Sequence, residues 1–141
     1  MREAESALAG RARTAVILGS GLFGGIPGGK MLESASYGEI EGLTAPGVEG
    51  HPGTISLVAA PRRNILVFAG RSHLYEGGLP GEAGSCVRVA ARLGCVDIVM
   101  VHAAGSLVRS LEPSSWMVPD GIVSLAWRDA GGAEGFAGRP R

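Results

Sequence analysis

Residues 14–25 read TAVILGSGLFGG, an apolar run from Thr14 to Leu18 followed at once by glycines at 19, 21, 24 and 25. A short continuous apolar run that ends in glycine predicts a strand buried on both faces, as in the interior of an α/β sheet. The glycines after it carry the spacing G-x-G-x-x-G, shared by more than one phosphate cradle. A dinucleotide fingerprint needs that turn to open a helix of about a dozen residues and a second strand to end in Asp or Glu about 20 residues on. Here Ile26-Pro-Gly-Gly-Lys30 breaks any such helix, and Glu39 and Glu41 sit in YGEIEGL, which is no buried strand. The dinucleotide reading is therefore disfavoured. What remains is a set of backbone N–H groups turned towards one point, with the Ser20 hydroxyl beside them, an arrangement that suits phosphate.

Residues 1–13, rich in Ala, Glu and Arg, predict a short surface helix, and the glycine-rich segment 19–30 leads into polar sequence through Gly50. Residues 54–60 (TISLVAA) and 64–69 (NILVFA) flank Pro61-Arg62-Arg63 and predict a β-hairpin with proline at the turn. GRSHLYEGG, residues 70–78, is a polar loop. From 82 to 93 the apolar positions Ala83, Cys86, Val87, Ala90 and Leu93 recur at spacings of three and four, between Pro80 and Gly94, and predict one amphipathic helix. Residues 97–104 (DIVMVHAA) predict a second buried strand and 121–127 (GIVSLAW) a third, while 131–141 is too short and glycine-rich for another packed layer. This order predicts an α/β fold, a mixed β-sheet flanked by helices, in a single domain spanning 1–141.

Thirteen basic and thirteen acidic side chains cancel, so the overall charge gives no reason to expect nucleic acid or an acidic membrane as partner. Any anion must be captured locally. Arginine supplies twelve of the thirteen basic residues, a bias that favours bidentate phosphate contacts. Cys86 and Cys95 form no CxxC and have no matching His/Cys cluster, so no metal site is expected and a reduced, cytoplasmic setting is. The N-terminus has no apolar signal region, and no stretch reaches the roughly 18 apolar residues of a membrane span.

Three further polar stretches end or precede apolar runs, where α/β sheets hold their ligands. GVEGHPG places His51 between glycines. GRSHLYEG brings Arg71, His73, Tyr75 and Glu76 together, with Arg71, His73 and Tyr75 on one side of an extended segment. VHAAGS ends a strand in small residues whose backbone a ligand can approach, Ala103 among them. With GSGLFGG, these stretches resemble the purine nucleoside phosphorylase family, in its trimeric, low-molecular-mass branch, where a GSGLG loop, a GHxG turn, a GRxHxYEG segment and an NAAGG strand end occur in the same order. YGEI and RLGCVDIV also look like the family's intervening segments.

The resemblance implies a phosphorylase/hydrolase-like fold and phosphorolysis of purine nucleosides to free base and (deoxy)ribose 1-phosphate. Ser20, Arg71 and His73 would hold inorganic phosphate with the backbone of Ala103, and His51 and Glu76 would sit at or beside that site. His73 and Glu76 would be the catalytic pair, with Glu76 fixing the tautomer of His51 or His73, and Tyr75 would pack on the ribose. Phosphate would be the co-substrate, with no other cofactor, and the assembly would be a trimer. Phe23, His102 and Ser106 stand where the family has Gly, Asn and Gly. Family members continue through a second half that grips the base, so the chain corresponds to the N-terminal half only. The alternative expectation is a non-catalytic phosphate- or nucleoside-binding module or subunit derived from the family.

Overall fold

The computed structural model describes residues 2–19, 21–22, 26–47, 52–73 and 80–121. Its elements are α1 (Glu3–Leu8), β1 (Thr14–Leu18), β2 (Lys30–Ser36), a 3-10 turn (Tyr37–Glu39), β3 (Thr54–Ala59), β4 (Asn64–Ala69), α2 (Pro80–Ala83), α3 (Ser85–Arg92) and β5 (Asp97–Val101). The strands form one mixed sheet in the order β2-β3-β4-β1-β5. β1 lies parallel to both β4 and β5, whereas β2, β3 and β4 run antiparallel in succession. The apolar run Thr14–Leu18 is thus a central strand, and the expected hairpin is β3–β4.

Alternation along the strands sorts the core into two layers. Ala15, Ile17, Ile55, Leu57, Leu66 and Phe68 face a cluster closed by Leu8 of α1 and by Cys86, Val89 and Ala90 of α3. Leu18, Val58, Ile65 and Val67 face the other way, where Leu22 and Ile26 of the glycine-rich segment pack on them. A sheet covered on both sides explains why β1 and β4 are apolar almost throughout.

Four expectations need correction. The N-terminal helix is confined to Glu3–Leu8, ending before Gly10 (φ +70°), and it buries Glu5 and Leu8 rather than lying on the surface. The polar sequence after Lys30 contains an edge strand, β2, whose first five residues are exposed and so lack the apolar signature. The single helix expected over 82–93 is two pieces that break at Gly84, with the Arg88 guanidinium reaching back to the Gly81 carbonyl. Because the helix restarts at Ser85, the buried positions are Ser85, Cys86, Val89 and Ala90, and Val87 is exposed. Finally, β5 stops at Val101 and is an exposed edge rather than a buried strand. The third strand expected over 121–127 lies, apart from Gly121, outside the described residues.

The chain divides into two compact units, Met1–Ala103 and Ala104–Arg141. The sheet and its helices belong to the first. In the second, residues 104–121 form turns, one closed by the Ser106 hydroxyl bonding both the N–H and the carbonyl of Val108. Among the described residues no helix is long and apolar enough to cross a membrane.

Candidate functional site

Strand register brings the polar stretches to one end of the sheet. Ser36, Thr54, Ala69, Leu18 and Val101 form a single row across β2, β3, β4, β1 and β5. One residue beyond that row stand Tyr37, Gly53, Gly70, Gly19 and His102. Each of the four motif segments therefore leaves the sheet at the same edge, which is the carboxyl end of its three parallel strands, where open α/β sheets bind ligands.

Backbone hydrogen bonds tie this second row together. Gly19 N–H donates to the Val101 carbonyl at 2.7 Å and Gly70 N–H to the Leu18 carbonyl at 3.3 Å. Gly53 N–H donates to Ala69 at 3.0 Å, and Tyr37 N–H donates to Gly53 at 2.8 Å. The approach at Gly19 explains its lack of a side chain, because a Cβ there would lie 2.9 Å from the Val101 oxygen and 3.0 Å from His102 Cα. Gly53 (φ +62°) and Gly70 (φ +102°) adopt backbone conformations that other residues avoid, and each turns the chain out of the sheet.

Arg71 and His73 follow Gly70 and are half-buried, whereas Ser72 between them is buried, its hydroxyl 3.4 Å from the Thr44 carbonyl. Burial therefore alternates over the part of this segment that is described. Ala103 is exposed beyond β5, next to His102, whose Nδ1 lies 3.1 Å from the Ala103 carbonyl, a bond that requires the proton on Nδ1. Ser20, His51, Tyr75 and Glu76 lie outside the described residues, as does Phe23. Their flanking residues Gly19, Pro52 and His73 are described, and these belong to segments that leave the sheet at this edge.

Beneath the edge is a buried polar group that the motif reading passed over. Tyr37, within YGEI, is 1% exposed and donates its hydroxyl to the Gly70 carbonyl at 2.7 Å. Its ring packs against Phe68 with centroids 6.4 Å apart, and the Cys86 thiol lies 3.8 Å from its oxygen. Burial pushes the Tyr37 phenol far above its ordinary range, so it stays a proton donor. Burial also raises the Cys86 thiol, against its hydrogen bonding with Tyr37 and Ser85 and the nearby Arg71 charge. The signals for Tyr37 in the sequence were an aromatic residue in a polar stretch and the family-like segment YGEI, to which the resemblance gave no role at the site.

No family model matches the chain. Among curated proteins it is 31% identical over 105 residues to purine nucleoside phosphorylase 1 of Geobacillus stearothermophilus, covering 73% of this chain and 38% of that protein. It is 33% identical over 115 residues to the purine nucleoside phosphorylase of Mus musculus, covering 82% and 40%. Among solved structures, Schistosoma mansoni purine nucleoside phosphorylase in complex with BCX-34 superposes with a TM-score of 0.59 at 30% identity, over 72% of this chain and 37% of that one. A purine nucleoside phosphorylase in complex with ribose-1-phosphate gives 0.57 at 28% identity, over 76% and 40%. The chain spans about 40% of the length of the curated relatives it matches. With the mixed sheet and the order of its loops, these likenesses make it a partial chain of the purine nucleoside phosphorylase family.

Proposed function

We propose that this chain carries the phosphate-binding edge of an enzyme that cleaves purine nucleosides with inorganic phosphate. The observation that supports this reading best is the row Gly53, Gly70, Gly19, His102, which gathers the segments bearing His51, Arg71, Ser20 and Ala103 at one sheet end. Backbone amides and the Ser20 hydroxyl suit an oxyanion, and the Arg71 fork presents two parallel donors to two phosphate oxygens. His73 adds a third donor, His51 and Glu76 lie at or beside the anion, and Tyr75 packs on the ribose. In the reaction a phosphate oxygen bonds to the anomeric carbon as its bond to the base nitrogen breaks. The electron pair leaves with the base, which takes up a proton as the attacking hydrogen phosphate gives one up. The sugar passes through an oxocarbenium-like state that the phosphate dianion stabilises while also serving as nucleophile. Inosine and related purine nucleosides are the proposed substrates, and a trimer the proposed assembly.

The test is release of hypoxanthine from inosine by the purified protein with and without phosphate, alongside direct phosphate binding. Arg71→Ala is expected to weaken phosphate binding about 100-fold, for two charge-assisted hydrogen bonds at about 1.5 kcal/mol each. Phosphate affinity that ignores Arg71, or turnover that ignores phosphate, would remove the reading.

A further inference from the structure

The Tyr37 hydroxyl and the Gly70 carbonyl meet 2.7 Å apart across 33 residues of sequence, at the last peptide before Arg71. That carbonyl and the Arg71 N–H belong to one planar trans peptide, so holding the oxygen fixes the plane and the direction in which the chain enters Arg71. Gly70, at φ +102° and without a side chain, has no steric means of holding that plane by itself. Tyr37 supplies the restraint from below. Its ring is wedged against Phe68, and the Cys86 thiol of α3 lies 3.8 Å from the Tyr37 oxygen and 3.9 Å from the Gly70 oxygen. The same residue reaches the neighbouring segment through its backbone, since Tyr37 N–H donates to the Gly53 carbonyl two residues after His51. One buried residue thus joins the segment carrying His51, through its backbone N–H, to the segment carrying Arg71 and His73, through its hydroxyl.

We propose that Tyr37 is a positioning residue for phosphate, holding the Gly70–Arg71 peptide so that the Arg71 guanidinium is presented at a fixed place on the sheet edge. The proposal rests on the reading of Arg71 as a phosphate ligand. A buried tyrosine that only fills space would need its ring and any acceptor. This one spends its hydroxyl on the single carbonyl that controls the entry to Arg71.

Tyr37→Phe keeps the ring and removes the hydroxyl, and inorganic phosphate is the probe. Binding is measured for the unmodified protein, Tyr37→Phe, Arg71→Ala and Val89→Ala, the last a core substitution on α3 that lowers stability without removing the hydroxyl that bonds the Gly70 carbonyl. Tyr37→Phe is expected to weaken phosphate at least fivefold and to speed amide exchange at Arg71, whereas Val89→Ala leaves phosphate affinity within twofold. If the enzyme turns over, the KM for phosphate rises while the KM for inosine holds. Unchanged phosphate affinity in Tyr37→Phe, with Arg71→Ala defective, overturns the proposal and leaves the functional reading standing. If no variant binds phosphate, the functional reading fails, and the Arg71 amide alone decides the brace: exchange no faster in Tyr37→Phe rejects it. Should Tyr37→Phe fold poorly, amide exchange in the unmodified protein replaces it, and an unprotected Arg71 amide rejects the restraint.

Discussion

Glu5 and Arg92, 87 residues apart in sequence, form a 2.7 Å ion pair that joins α1 to the end of α3. Glu5 is 2% exposed, and the same Oε1 accepts the Glu41 N–H at 2.7 Å while Oε2 accepts the Arg2 N–H at 3.3 Å. One carboxylate therefore fixes the N-terminal helix, the turn that follows the 3-10 segment and the last turn of α3. Burial pushes its pKa up, but the two backbone N–H groups and the Arg92 charge outweigh that and hold it below the ordinary glutamate range.

Glu5→Gln replaces an acceptor of three donors by an amide that turns a donor on one of them. Stability is expected to fall by about 1–3 kcal/mol at neutral pH. Because the folded pKa is depressed, the wild-type advantage is full above the unfolded glutamate value of about 4.3 and is lost as the pH falls through the folded value. Thermal melts of both proteins from pH 7 down to pH 3 check this: the gap in Tm should close on the acid side and stay open at neutrality.

Gly19→Ala and Gly21→Ala separate close packing from backbone strain. At Gly19 a Cβ meets the Val101 carbonyl and His102 Cα, so the loop after β1 must move away from β5, at a cost of about 1–3 kcal/mol. At Gly21 nothing lies within 4 Å, and φ is +82°, so the cost is conformational and about 1–2 kcal/mol. Phosphate affinity should drop further in Gly19→Ala, because the row that gathers the ligand segments is opened there. Equal phosphate affinities in the two variants would contradict this account.

The edge strand β5 bonds only to β1 among the described residues, and Val96, Val99 and Met100 are 63%, 47% and 49% exposed. An apolar edge with unpaired backbone groups pairs readily with another chain. The purified protein is expected to associate as its concentration rises, and Val96→Lys with Val99→Lys to suppress this while Tm moves by less than about 4 °C. Light scattering over a concentration series is the measurement, and association unaffected by the lysines would place the contact elsewhere.

The strands that could be read directly are those whose apolar runs are covered on both faces. β1, β3 and β4 carry that pattern because helix α3 fills one side and Leu22 and Ile26 the other. β2 was hidden because its first five residues, Lys30, Met31, Leu32, Glu33 and Ser34, are exposed on both faces of the sheet, so no burial imposes a period on them. β5 misled in the opposite direction: DIVMV has the composition of an interior strand, and its exposure depends on what stands beside it. Gly84 likewise carries no signal that says whether a helix continues through it or restarts.

Local chemistry and spacing were enough to mark the apolar strands β1, β3 and β4, the breaks at Gly19 and Gly70, and a set of phosphate-suited residues whose order matched one family. That the segments share one end of the sheet is a product of the folded chain. Strand order and register are set by contacts between residues far apart in the chain, and so is the meeting of Tyr37 with Gly70, for which no local pattern exists.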